Sequence, residues 1–326
     1  MTVSCKPLVS VVIIGLNEEK LLGNSLAAVI DSKINDCDVE IIYVDSGSID
    51  RSLDIANSFS QVTSYKLSCE DVSAAKARNL GAKQAKGTFI QFVDGDSELD
   101  ANWLTFAYRH LSQHSNTACV FGALEESHPE SNIYTKVCSF DWYIPPGEYR
   151  LCGGNAFWRK SYLEDANFFD ETLSAGEEPD LCYRVRQLGG RIFCIDAPMV
   201  KHDLEMNSFV EYWQRGVING KAYAAIGLRY RNHKEKLWFK EMLRNFLEPL
   251  MWLSILCVVT YLVTFSFAVV ILCLLWLFRA VKIAISSKKK IPKITDGILY
   301  GFHIQFIRLA SFWGQLKFCF KYVFYR

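Results

Sequence analysis

Two acidic clusters carry the types and spacing that could do chemistry. The first, Asp94-Gly95-Asp96, ends the run Thr88-Phe89-Ile90-Gln91-Phe92-Val93, which is apolar enough to be a buried strand. Carboxylates at the carboxyl end of such a strand lie where open α/β sheets place ligands. Their oxygens suit a hard divalent cation that also holds the phosphates of a substrate. The second cluster, Glu177-Glu178-Pro179-Asp180, opens a helical stretch that ends at Gly189-Gly190. Pro179 fits the first helical turn and the acids complement its positive end. Between them, Gly153-Gly154-Asn155 is a pair of glycines that lets a ligand or another backbone come close.

The elements around these residues read as alternating strands and helices. Ser10–Ile14 is a β-branched strand ended by Gly15-Leu16-Asn17-Glu18, with Asn17 placed to cap a helix that buries Leu22, Leu26, Val29 and Ile30. Glu40–Val44 is a second strand, ending in Asp45-Ser46-Gly47-Ser48, and a helix begins at Asp50. Val62–Leu67 is a third, followed by a helix over 72–86 and then the strand before Asp94. This βαβ series implies a mostly parallel sheet with helices on both faces. The polar turns at Asn17, Asp45 and Asp94 then open onto one edge. Further on, 118–124 is a strand, 126–150 is less periodic, and Arg191–Ile195 and Pro198–Asp203 complete this part. Neither GxGxxG nor GxxxxGK[ST] follows the first strand, which argues against a dinucleotide enzyme or a P-loop.

Composition narrows the classes. The chain has 326 residues, with 36 Lys plus Arg against 35 Asp plus Glu. A net charge of +1 gives no global field for nucleic acid. The 11 cysteines are scattered, with no CxxC pair, as expected of small core residues in a reducing compartment. Met1–Pro7 runs straight into the first strand with no signal-like apolar run, so the soluble part is expected in the cytosol.

Taken in order, these motifs resemble family 2 glycosyltransferases of GT-A fold: Val9–Ile14 with Asn17-Glu18, Val44-Asp45 through Asp50, Ala77-Arg78-Asn79 with Gly81, Phe92-Val93-Asp94-Gly95-Asp96, Gly154-Asn155 with Arg159, Phe169-Asp170-Glu171, and Glu177-Glu178 with Asp180, Leu181 and Arg184. The resemblance covers residues 8–203 and implies an inverting enzyme that uses a nucleotide-diphosphate sugar with Mn²⁺ or Mg²⁺. It implies that Asp45 holds the nucleotide base, with Asn17 and Glu18 beside it and Arg78 and Asn79 at a helix start nearby. Asp94 would face ribose or metal, Asp96 would bind the cation, and His202 falls where a third metal ligand would be. Glu178 takes the catalytic-base position, where the family usually has Asp; Glu177 is the alternative. Gly154, Asn155, Glu177 and Asp180 would line the acceptor side. A polyprenyl-phosphate glycosyltransferase is a close variant. A nucleotidyltransferase would want a basic, glycine-rich first turn, and a non-catalytic membrane scaffold would not need Asp45, Asp94, Asp96 and Glu178 together.

The C-terminal third differs. Pro249–Phe278 is a stretch of 30 residues without a charge. As one helix it would be about 45 Å long against a hydrocarbon core of about 30 Å, so a tilted span and a hairpin turning near Thr264–Ser266 both remain open. Basic residues flank it on both sides, Arg229 to Arg244 and Arg279 to Lys293, which favours both flanks in the cytosol. The aromatic and basic tail from Gly297 suits an interfacial segment on anionic lipid and resembles the tails of bacterial cell-envelope glycosyltransferases. The expected organisation is a GT-A domain over 1–228, a basic juxtamembrane segment over 229–248, a transmembrane or re-entrant segment over 249–281, and an interfacial tail over 282–326. Membrane lipids and a lipid-linked or glycan acceptor are the expected partners, at the cytosolic face of a bacterial inner membrane. Arg215 is a further candidate for a phosphate contact.

Overall fold

Asp94 owes its position to the buried strands beside it. Val9, Val11, Val12, Ile13, Tyr43, Val44, Ile90, Phe92 and Val93 are all fully buried, so side chains point into packed layers on both faces of the sheet. Each such side chain removed from water contributes about 1.5–3 kcal/mol. The computed structural model describes residues 8–32, 34, 37–68 and 72–324. Met1–Pro7, on which the expectation about a leader rests, lie outside the described residues.

In chain order the elements are β1 (Leu8–Gly15), α1 (Leu22–Asp31), β2 (Asp38–Asp45), α2 (Ser52–Ser58), β3 (Val62–Lys66), α3 (Ala74–Gln84), β4 (Phe89–Asp94), β5 (Ser97–Leu99), α4 (Trp103–Gln113), β6 (Thr117–Glu126), α5 (Ile133–Ser139), β7 (Gly147–Tyr149), β8 (Phe157–Arg159), α6 (Lys160–Asp165), α7 (Glu177–Gln187), β9 (Arg191–His202), α8 (Phe209–Arg229), α9 (Phe239–Leu262), α10 (Phe265–Ser286) and α11 (Ile294–Phe324). They form two compact units. One holds the chain up to Ser127 together with Ile144–Leu204; the other holds His128–Tyr143 together with Glu205–Arg326.

The first unit is built on a nine-stranded sheet, counted among the described residues, in the order β3-β2-β1-β4-β8-β6-β9-β5 with β7 on β9. β3, β2, β1 and β4 are parallel, so the fold is the mostly parallel α/β sheet expected. Gly15 pairs with Asp45 and Ile14 with Asp94, which brings the three polar turns to one edge. Two details differ from the sequence reading. Asp96 leads directly into β5, and Arg191–His202 is one long strand rather than two segments. β5 and β9 pair antiparallel with Ser97 opposite His202, and this register carries the histidine to Asp96.

Close packing places α3. A Cβ on Gly81 would lie 2.2 Å from Cγ1 of Val12, so only glycine lets this helix lie so close to β1. The less periodic stretch 126–150 contains α5, which Asn132 caps by accepting from the amides of Tyr134 and Thr135 at 2.9 and 3.0 Å.

In the second unit, α8 groups with the C-terminal helices, so the contact boundary falls at Glu205 rather than after residue 228. The cause is small residues. A Cβ on Gly220 would meet the Ser311 carbonyl oxygen at 2.1 Å, and one on Gly314 would meet that of Val217 at 2.1 Å. α9 and α10 are long and apolar enough to cross a membrane by length and composition, with mean hydropathy 1.5 and 2.4. The break between them falls at Val263-Thr264. Their open ends are tied by Glu248 and Arg279 at 2.6 Å, while Tyr261, Phe265 and Phe278 remain exposed.

Candidate active site

Arg78 is the centre of the site. Ser73 caps α3 by accepting from the Lys76 amide at 3.3 Å, and Arg78 follows one turn later. It therefore lies inside the helix rather than at its start. Its side chain is 4 % exposed and its guanidinium bonds three carboxylates: Nη2 donates to Asp94 Oδ1 at 2.9 Å, and Nη1 to Glu177 Oε1 at 3.1 Å and Glu178 Oε1 at 3.3 Å. Burial alone would lower its pKa, but the carboxylates of Asp94, Glu178 and Glu177 outweigh that and keep it charged.

Gly154 makes this convergence possible. A Cβ there would lie 2.1 Å from Arg78 Nη2 and 3.3 Å from Glu178 Oε1. Its neighbour Asn155 holds Asp94 twice, accepting from the Asp94 amide at 2.9 Å and donating to Oδ2 at 3.1 Å. Asp94 is thus fixed through both carboxylate oxygens, one by Arg78 and one by Asn155.

Glu177 and Glu178 open α7 after Gly176, which adopts the left-handed conformation at φ +90°. Burial and then the charge of Glu177 push the Glu178 carboxyl up to about 7, against the opposing pull of Arg78. Its side chain is 22 % exposed, so it can still exchange protons with a ligand. Asp180 is turned away. It is 1 % exposed and bonded to Arg184 Nε at 2.8 Å, while Arg184 also reaches the Ala166 carbonyl, so it anchors α7.

Asp96 faces His202, with Oδ1 3.2 Å from Nε2. Burial raises the Asp96 carboxyl to about 6, with His202 pulling it down and Asp94 adding to the rise. A carboxylate oxygen and an imidazole nitrogen at this spacing are a donor pair that fits Mn²⁺ or Mg²⁺. The oxygens of Asp94 are already engaged. Among the described residues no group of three His, Cys, Asp or Glu side chains is placed to hold a metal ion.

A cavity of about 330 Å³ opens at this sheet edge, lined by Gly15, Glu18, Ser46, Ser73, Asp94 and Asp96 among others. Glu18 lies on it, but Asn17 serves a different purpose from the helix cap expected. It adopts φ +60° and its Oδ1 accepts from the Ile49 amide at 2.9 Å, tying the first turn to the loop after β2. Leu21 occupies the cap position of α1. Asp45 is fully buried and accepts from the Gly47 and Ser48 amides at 3.0 Å each, so Ser46 rather than Asp45 faces the cavity. Asn79 spends both ends of its amide on the Phe169–Glu171 turn, bonding Phe169 O at 2.9 Å, Phe169 N at 2.9 Å and Glu171 at 2.8 Å.

The structure therefore brings Arg78, Asp94, Gly154, Asn155, Glu177 and Glu178 into one network, and Asp96 with His202 into a second. Ser46 and Ser73 were not anticipated as lining residues; only the capping role of Ser73 has a sequence signal.

Residues 10–164 match the model of the family described as Glycosyl transferase family 2. Glycosyltransferase AglE of Haloferax volcanii is 33 % identical over 198 residues, covering 57 % of this chain and 64 % of AglE. The minor teichoic acid biosynthesis protein GgaA of Bacillus subtilis is 27 % identical over 184 residues, 52 % of this chain and 41 % of GgaA. The chain thus spans less than two thirds of either relative. Among solved structures, mannosyltransferase PcManGT from Pyrobaculum calidifontis in complex with GDP-Man and Mn²⁺ aligns with a TM-score of 0.68 and 15 % identity, over 96 % of this chain and 88 % of that one. That likeness carries the fold. With the ordered motifs, the parallel sheet edge and these relatives in agreement, residues 10–164 carry the match to glycosyl transferase family 2, and the chain has a GT-A fold.

Proposed function

We propose that the chain transfers a sugar, with inversion, from a nucleotide-diphosphate sugar to a hydroxyl of a lipid-linked or glycan acceptor. The observation that carries this reading is the single guanidinium of Arg78 bonded to Asp94 on one side and to Glu177 and Glu178 on the other. It links the edge that would hold the donor to the acid that would serve the acceptor.

In this reading the cavity beside Asp94–Asp96 takes the nucleotide sugar, and Asp96 and His202 hold a divalent cation. The GDP-Man and Mn²⁺ bound by the Pyrobaculum protein support that assignment. When bound, the cation would supply Lewis-acid stabilisation of the charge growing on the departing diphosphate. Asp94 is held rigid by Arg78 and Asn155, so it meets the donor in one orientation. Glu178, with a pKa near neutrality, takes the proton of the acceptor hydroxyl as that oxygen attacks the anomeric carbon. Bond formation on one face and departure of the nucleoside diphosphate from the other give inversion in one displacement. Glu177 remains on Arg78 and keeps the guanidinium from neutralising Glu178 entirely. The α9–α10 pair would attach the chain to a membrane, with the catalytic part at the cytosolic face of a bacterial inner membrane.

A thermal-shift screen of nucleotide sugars with and without Mn²⁺ tests the donor assignment, because stabilisation grows with ligand concentration over Kd. One nucleotide sugar should raise Tm only when Mn²⁺ is present. A screen in which no nucleotide sugar shifts Tm would reject the reading.

A further inference from the structure

The second unit contains a cavity of about 420 Å³ bordered by Arg215 on α8, Arg244 on α9 and Arg308 on α11. We propose that this cavity binds the phosphate headgroup of a lipid. The site stands on the second unit alone and does not depend on the transfer reaction proposed above.

Charge is the first reason. Three arginines line the cavity against one acidic residue, Asp141. That carboxylate is already committed. Burial would raise its pKa, but His303 and Tyr300 as hydrogen-bond partners, with Lys290 at 3.4 Å, hold it below its usual range. Arg215 and Arg244 make no hydrogen bond or ion pair with any described residue. Arg308 is 13 % exposed and bonded to Glu248, which Arg279 also claims at 2.6 Å. One carboxylate thus serves two guanidiniums. Burial, and the like charges of Arg244 and Arg279, press the Arg308 pKa down despite Glu248. A phosphate, with several acceptor oxygens, is the anion whose geometry several arginines match.

Shape is the second reason. His303 borders the arginine cavity and also an apolar one of about 240 Å³, whose walls include Tyr134, Phe209, Trp276, Phe302 and Phe306. Tyr212 fixes the His303 ring, with its hydroxyl 2.9 Å from Nδ1. A charged pocket beside an aromatic one, with His303 as their shared wall, fits a molecule with an anionic head and a hydrocarbon tail; a free anion would use only the first. Position is the third. The uncharged stretch of the hairpin begins at Pro249 and ends at Phe278, and the Glu248–Arg279 pair closes its open end. Arg244 is one turn before Glu248 and Arg308 is bonded to it, so the arginines lie at the level where headgroups would be.

Native mass spectrometry of the full chain in detergent tests this, with polyprenyl phosphate, phosphatidic acid, diacylglycerol and inorganic phosphate as probes. The wild type should bind the lipid phosphates and not diacylglycerol. Replacing both free arginines, Arg215→Gln with Arg244→Gln, should weaken lipid phosphate binding about tenfold or more. Phe302→Ala should weaken binding of the lipid phosphates and leave inorganic phosphate unaffected. Preference for polyprenyl phosphate over phosphatidic acid would support the site and identify its ligand as a carrier lipid; equal binding would support it as a reader of bulk anionic lipid. Unchanged lipid binding by the double variant would overturn the proposal, as would binding of inorganic phosphate without either lipid, or binding of diacylglycerol at the same level. Nucleotide-sugar affinity, measured on the same samples, shows that the variants are folded, and its absence in the wild type would count against the donor assignment alone.

Discussion

Gly154 and Arg78 are in a lock-and-clearance relationship: the space that a Cβ at 154 would fill is occupied by the Arg78 guanidinium, 2.1 Å from where that Cβ would be. The glycine is therefore part of the charge network even though it has no side chain.

Gly154→Ala should displace Arg78 from Asp94 and Glu178. The guanidinium is 4 % exposed and held by three carboxylates, so it cannot swing away freely. A loss of about 1–3 kcal/mol in stability is expected from the overpacking, read as a lower Tm, with turnover falling further than stability. An unchanged Tm and turnover would mean that the network tolerates movement that its geometry forbids.

The fold was more legible than the site. The buried strands before Asp45 and Asp94 are continuous β-branched and aromatic runs, and such runs leave little choice of element. Their turns converge because parallel strands must end at one edge. What the residues at that edge touch was not legible. Asn17, Asn79, Asp45 and Asp180 each have a polar side chain that a ligand could use. Each is instead consumed by the backbone or an ion pair: Ile49, the Phe169–Glu171 turn, Gly47 with Ser48, and Arg184. The partners of Asn17 and Asn79 lie 32 and up to 92 residues away, beyond the reach of local pattern. His202 was placed with Asp96 by the family resemblance alone, and the β5–β9 register supplies the physical reason for it.

The pH profile should carry one ascending limb from Glu178. The carboxyl is pushed up to about 7 by burial and Glu177, and only its ionised form accepts a proton. Turnover should therefore be low below about 7 and rise as pH passes through that value. Steady-state kcat across the neutral range checks this. A profile flat through neutrality would show that no group with this pKa takes the proton.

Asp96→Ala and His202→Ala should separate cation binding from folding. Both residues are partly exposed, at 23 % and 17 % of their side chains, so neither substitution empties the core. Titration calorimetry with Mn²⁺ in the presence of the nucleoside diphosphate should show binding lost in the first variant and weakened about tenfold or more in the second, the usual scale for loss of a metal-site partner. A chelator should likewise stop turnover of the wild type, and added Mn²⁺ should restore it. Equal Mn²⁺ affinity in all three proteins would move the cation elsewhere.

Asn155→Leu should free one oxygen of Asp94 and leave its amide without a partner. The residue is buried and makes two hydrogen bonds to Asp94, so a cost of about 1–3 kcal/mol is expected. Donor KM should rise more than in a variant of equal Tm mutated away from the site. A fall in Tm with unchanged KM would limit Asn155 to a structural role.

Glu178→Gln tests the central claim most directly. The amide keeps the size and the contact with Arg78 but cannot take a proton. Measured in one preparation, nucleotide-sugar affinity should match the wild type while kcat falls by about 10²–10⁴, the range for a lost general base. Glu177→Gln should retain most of the turnover. Wild-type kcat in Glu178→Gln, or an equal loss of donor affinity, would contradict the account.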